Sequence, residues 1–157
     1  MTSALDPSQA DNAAIAIRAL HYIQSDSAQV IARTAAGLGI AAVDVRALYF
    51  LSTTPDATPK LLAEHLGLTT GAVTSLVDRL HTAGYCARTP NPDDRRSVVL
   101  ELTADGTAAV NTLIGGYNAA LTRAIDAEQL ADLARSLTAF RNTLAEITRT
   151  APAGEPT

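Results

Sequence analysis

The side chains with usable chemistry cluster between Thr58 and Thr103. Thr69, Thr70, Thr74 and Ser75 offer hydroxyls, Gly71 offers an unshielded backbone, and Arg79 and Arg88 offer guanidinium groups. Further on, Asn91-Pro92-Asp93-Asp94-Arg95-Arg96 forms a charged run between two apolar stretches. These groups hydrogen-bond and neutralise charge. No nucleophile is paired with a base, and no glycine-rich loop is set to cradle a phosphate. The chemistry on offer is recognition rather than catalysis, and the chain is not expected to be an enzyme.

On a helical wheel over residues 70–83, Val73, Leu76, Val77 and Leu80 fall on one side. Gly71, Thr74, Ser75, Asp78, Arg79 and Thr82 fall on the other. An outer face that is small and polar near its N-terminus suits a DNA major groove, and the helix N-terminus itself favours a phosphate. In the charged run, Pro90 and Pro92 stiffen the chain. Arg95 and Arg96 suit a minor groove, whose negative potential attracts arginine, and Asp94 is spaced to orient Arg96 through a two-pronged pair. Each feature alone also fits a solvated helix face or a solvated turn. The two together, in this order, favour DNA.

The elements that must position these groups are mostly helical. Ala, Leu, Val and Ile carry the apolar content, there is no Trp, and only two Phe occur. Ala and Leu lose little entropy in a helix. Residues 1–10 are expected to be disordered, and a first helix runs from Asp11 to about residue 36, with Ser25-Asp26-Ser27 marking a kink or break and Gly37 and Gly39 ending it. A second helix covers 42–53. Thr58-Pro59 opens a third, ended by Gly67, and Thr69 caps a fourth, ended by Gly84. Alternating runs at 85–89 and 97–103 predict a hairpin, Thr103 caps a fifth helix, and Asp126 with Gln129 opens a sixth. Residues 150–157 read as a disordered tail. The fold class expected is mostly α, a winged helix-turn-helix over 42–103 with a two-stranded β wing. Helices over 11–36 and 104–149 flank it and complete one domain of residues 11–149.

Along the sixth helix Leu130, Leu133, Leu137, Phe140, Leu144 and Ile147 recur at alternating spacings of three and four. That is a coiled-coil-like seam, which points to dimerisation; packing against the chain's own first helix is the plainer reading. The formal net charge is −4. Between residues 58 and 103, Lys60, Arg79, Arg88, Arg95 and Arg96 face Glu64, Asp78, Asp93, Asp94 and Glu101. Balanced charge makes DNA affinity a matter of placement, moderate and salt-sensitive. The lone Cys86 excludes an internal disulfide and reads as a small buried hydrophobe rather than a redox sensor. His21, His65 and His81 share no metal-ligand spacing, so no metal or cofactor is expected. No signal peptide or membrane span is evident, and a cytoplasmic location is the default.

Three stretches resemble the MarR family of transcriptional regulators. They are Leu61-Leu62-Ala63-Glu64-His65-Leu66-Gly67-Leu68, Gly71-Ala72-Val73-Thr74-Ser75-Leu76-Val77-Asp78-Arg79-Leu80, and Ala83-Gly84-Tyr85. Pro92-Asp93-Asp94-Arg95-Arg96 and Leu102-Thr103 follow at the family's spacing. The resemblance implies a homodimer with intertwined terminal helices, laying a recognition helix in the major groove and a wing in the minor groove of a pseudo-palindromic operator. It implies Arg96 as the minor-groove residue, Asp94 as its organiser and Arg95 near the backbone. Thr69, Thr70, Gly71, Thr74 and Ser75 would face the groove. Two positions depart from the pattern: Ser75 stands where many members carry Arg, and Ala41-Ala42 where a capping Ser or Thr-Pro often opens the second helix. Many members resemble ligand sensors, and His21, Tyr22, Arg46, Tyr49 and Tyr117 are the candidates for such a pocket. The function expected is a repressor released by a small molecule or other signal. The alternative is a helical dimer that binds a protein partner or small ligand without DNA.

Overall fold

The computed structural model describes residues 6–91 and 97–150. The elements in order are α1 (Pro7–Leu38), α2 (Ala42–Thr53), α3 (Pro59–Leu66), α4 (Thr70–Thr82), β1 (Cys86–Pro90), β2 (Val98–Leu102), α5 (Ala104–Ala124) and α6 (Ala127–Thr150). The chain divides into two compact units, Met1–Gly115 and Gly116–Thr157. A mostly helical chain with one antiparallel strand pair is the fold class the sequence leads one to expect.

Two differences concern α1. It begins at Pro7 rather than Asp11, because Asp6 and Gln9 close a capping box. The Gln9 N–H donates to the Asp6 carboxylate at 2.9 Å, the Asp6 N–H donates to the Gln9 amide at 3.1 Å, and Pro7 supplies a helical φ at the first position. The helix also runs unbroken through Ser25-Asp26-Ser27. Ser25 and Asp26 are exposed there, so water solvates their side chains without drawing the backbone out of the helix.

Helices α3 and α4 begin on threonine caps. The Thr58 hydroxyl accepts from Leu61 N–H and the Thr69 hydroxyl from Ala72 N–H, each at 3.3 Å. Between them Gly67 adopts φ 66°, the left-handed conformation that turns the chain from one helix into the next without a side-chain penalty. The strands pair in register from Cys86 opposite Leu102 to Pro90 opposite Val98. The outer edge of β2 is tied as well: Leu100 N–H donates to the Ala57 carbonyl at 2.8 Å. Leu48, Leu62, Val73, Leu76, Val77, Leu80, Cys86, Leu100 and Val110 are buried in one apolar cluster drawn from α2, α3, α4, both strands and α5.

Thr103 joins the hairpin to α4 and α5. Its hydroxyl donates to the Gly84 carbonyl at 2.6 Å and accepts from Gly106 N–H at 3.1 Å. Gly106 has no room for a side chain, since a Cβ would lie 2.0 Å from the Tyr85 carbonyl oxygen. In the unit Gly116–Thr157, Asp126 and Gln129 form the expected box at the start of α6. No residue of α6 is buried. Among the described residues no single helix is long and apolar enough to cross a membrane.

Candidate nucleic-acid interface

Helix α4 sorts its residues as the wheel predicts. Val73, Leu76, Val77 and Leu80 are buried, while Thr70, Gly71, Thr74, Ser75, Asp78 and Arg79 are exposed. Burial of four branched side chains on one face fixes the rotation of the helix about its axis, so the polar face cannot roll inward. The Thr74 hydroxyl donates to the Thr70 carbonyl at 2.9 Å and the Ser75 hydroxyl to the Gly71 carbonyl at 3.2 Å. Both oxygens keep acceptor capacity on the exposed face. Thr69 spends its side-chain oxygen as the helix cap.

Beside this face lies a groove of about 1030 Å³, whose lining includes Thr58, the cap of α3, Lys60 of α3, Thr70 and Thr74 of α4, and Asn91 and Ser97 at the base of the wing. The Asn91 amide donates to the Ser97 hydroxyl at 2.8 Å, and Asn91 N–H donates to the Ser97 carbonyl at 3.3 Å. These bonds carry the strand pairing beyond Pro90 and Val98. Asp94, Arg95 and Arg96 lie outside the described residues.

The remaining two arginines of the expected interface are both paired within the chain. Arg79 donates to the Asp44 carboxylate at 2.6 Å; Asp44 is buried, with its side chain only 5% exposed, while that of Arg79 is 53% exposed. The other Asp44 oxygen accepts from Ala41 N–H at 3.2 Å. Asp44 therefore makes half of a capping box for α2 and holds the last turn of α4 at the same time. The absence of a capping Ser or Thr at Ala41 is offset from three residues downstream. Arg88, on β1, pairs with Asp78 of α4, and both side chains are solvent-accessible.

In the sequence Asp78 reads as one of the charges on the outer face of α4, with no partner assigned to it, and Asp44 does not stand out. Asp44 carried a readable signal, an Asp three residues after an uncapped Ala at a helix start. Its partnership with Arg79 spans 35 positions and carried none.

Cys86 is buried on β1, with its carbonyl facing His81 Nδ1 at 3.1 Å. Burial pushes its thiol pKa up, against a smaller opposing pull from the Arg88 charge. That is the setting of an inert core thiol. Phe50 and His65 stack with ring centroids 4.4 Å apart, joining α2 to α3. Of the residues considered for a ligand pocket, His21, Tyr22, Arg46 and Tyr49 are exposed and Tyr117 is half-buried. None of them lines the groove beside α4 or a smaller cleft of about 370 Å³ beside Asp44 and Arg79.

Comparison with known proteins agrees with this geometry. Residues 37–97 match a family model described as MarR family. The chain is 44% identical over 66 residues to the HTH-type transcriptional regulator YcgE of Bacillus subtilis, covering 42% of this chain and 43% of that protein. With the multiple antibiotic resistance protein MarR of Escherichia coli it shares 29% identity over 120 residues, 74% of this chain and 83% of the relative. The fold resembles that of a MarR family transcription regulator with a TM-score of 0.67 at 21% identity, covering 92% of this chain and 97% of the other. A mutant Escherichia coli MarR complexed with operator DNA superposes with a TM-score of 0.53 at 28% identity, covering 78% of this chain and 91% of that one.

Proposed function

The chain belongs to the MarR family of transcriptional regulators, and from that premise we propose that it is a homodimeric, sequence-specific DNA-binding repressor. The observation that carries this reading is the two-sidedness of α4, four buried apolar residues beneath an exposed face of Thr70, Gly71, Thr74 and Ser75. Small polar groups on a rigid helix allow the backbone close to base edges in a major groove. Lys60 and the helix N-terminus offer phosphate contacts beside it; on the wing, Arg96 takes the minor groove, Asp94 orients it and Arg95 lies near the backbone. Arg88, on β1, is held by Asp78 and reaches the backbone only when that pair opens.

Dimerisation places two such readers on one duplex. On α6, Leu137, Phe140, Leu144 and Ile147 are each about half exposed, an apolar row that a second copy would cover. A small molecule or other signal that favours a different spacing of the two recognition helices would shift the dimer away from the operator-bound geometry. Such a protein works in the cytoplasm, on chromosomal DNA.

Selection of bound duplexes from a random pool tests the reading. The expected product is an inverted repeat whose half-sites lie about one helical turn apart, bound saturably by a dimer and weakened by salt. Failure to bind any duplex saturably at low ionic strength would overturn it, and leave a helical dimer for a protein or small-ligand partner.

A further inference from the structure

The two ion pairs on α4 differ in a way that assigns them different work. Asp44 is almost fully buried and has two hydrogen-bond donors, the Arg79 guanidinium and the Ala41 N–H. If Arg79 left for a DNA phosphate, a buried carboxylate would lose its countercharge, and a lone buried charge is strongly unfavourable. Arg79 is therefore held. Asp78 and Arg88 are both open to water, with side chains 57% and 36% exposed. Either can leave the other and be solvated at little cost, because an exposed pair contributes little. Arg88 is therefore exchangeable.

The position of the second pair gives that exchange a consequence. Asp78 lies four residues beyond Thr74 and eight beyond Thr70, on the same exposed stripe of α4. A bare carboxylate there would repel a polyanion, and Arg88 neutralises it. A phosphate that captures Arg88 must take it from Asp78. Resting on the DNA-binding reading above, we propose that Asp78 is an affinity-setting residue: it withholds Arg88 from the DNA backbone and so damps sequence-independent binding. The damping is useful to a regulator that must leave non-specific sites, which greatly outnumber its operator.

A double-mutant cycle on the 157-residue chain tests this, with anisotropy of a fluorescent random-sequence duplex as the readout across a salt series. Asp78→Asn should tighten binding about eightfold at 0.1 M salt and steepen the salt slope by about 0.9, the effect of one added phosphate contact, with the gain gone near 1 M. In an Arg88→Gln background the same substitution relieves the repulsion of a bare carboxylate but releases no arginine, so it adds no phosphate contact and should steepen the salt slope by well under about 0.9. Circular dichroism confirms that each variant is folded. An unchanged affinity and slope for Asp78→Asn would overturn the proposal. So would an equal steepening of the salt slope in both backgrounds, which would mean that Asp78 acts by its own charge alone. Wild-type protein that binds neither this duplex nor any selected site would instead overturn the DNA-binding reading beneath it.

Discussion

In the unit Met1–Gly115, helix α4 hides Val73, Leu76, Val77 and Leu80 completely and leaves only small or charged groups in water. In the unit Gly116–Thr157, helix α6 is nearly twice as long and equally periodic, yet none of its residues is fully buried. Both helices carry an apolar stripe, so amphipathic pattern alone does not separate them. What separates them is whether the helix's own unit supplies the cover. Elements α2, α3, β2 and α5 close over α4, whereas the four larger residues at the C-terminal end of the α6 seam stay about half exposed. One stripe is covered within its own unit, and the other is the stripe that the proposed homodimer would cover. A reading surface gains from the first arrangement, because its geometry is set before DNA arrives. An assembly surface gains from the second.

The largest effect that would break this contrast is expected from paired substitutions, one on each stripe. Leu62 is fully buried against α4 and the strands, and Leu62→Ala should cost about 2–5 kcal/mol through lost burial and an unfilled cavity. Urea unfolding would show it as a lower midpoint. Leu144→Glu, on the exposed stripe, should leave helicity intact and halve the mass of a wild-type dimer in light scattering. If Leu144→Glu instead remained dimeric, the α6 seam would lose its role and the contrast its meaning. Loss of helicity in that variant would show that the stripe is core after all.

A smaller effect sharpens the account of the covered unit. Gly106→Ala would set a methyl group 2.0 Å from the Tyr85 carbonyl oxygen, a backbone atom that cannot swing aside. Thr103 ties the same junction to Gly84 and to Gly106 itself, so relief would have to displace the wing or the start of α5. Destabilisation of about 1–3 kcal/mol is expected from overpacking, read as a lower thermal midpoint. A neutral Gly106→Ala would mean that the hairpin and α5 adjust freely, and that the wing is less firmly placed relative to α4 than these bonds imply.

What could be read from the sequence follows the same division. The helix-turn-helix was legible almost to the residue. Thr58-Pro59, Gly67 and Thr69 each act through their own backbone or one neighbouring turn, and local chemistry is visible locally. The start of α1 was equally local, yet the Asp6 to Gln9 box was passed over beneath a polar, proline-bearing N-terminus. The fates of Arg79 and Arg88 were not legible. Both look like free cations in a one-dimensional reading. Only the fold brings Asp44 within 2.6 Å of Arg79 and Asp78 against Arg88. The placement of hydroxyls on the α4 face follows from periodicity; the availability of charge follows from tertiary pairing.

The smallest expected effect tests how dry the covered unit is. Cys86 is buried among Val77, Leu80 and Leu100, and its thiol pKa is raised by desolvation. In the unfolded chain the same thiol ionises at its ordinary value, near pH 8.5–9. A group whose folded pKa lies above its unfolded pKa stabilises the fold fully below the unfolded value and loses that contribution as pH rises through the folded one. Stability should therefore fall with alkali from about pH 9 upward, by at most about 1.4 kcal/mol per pH unit from this group. Other groups titrate in the same range, so the comparison is with Cys86→Ala, which has no thiol. The variant should start from a lower stability, having lost a buried sulfur, and decline less steeply. The two curves should converge as pH rises. Parallel curves would show that the thiol ionises alike in folded and unfolded chains, and that water reaches the strand beneath α4.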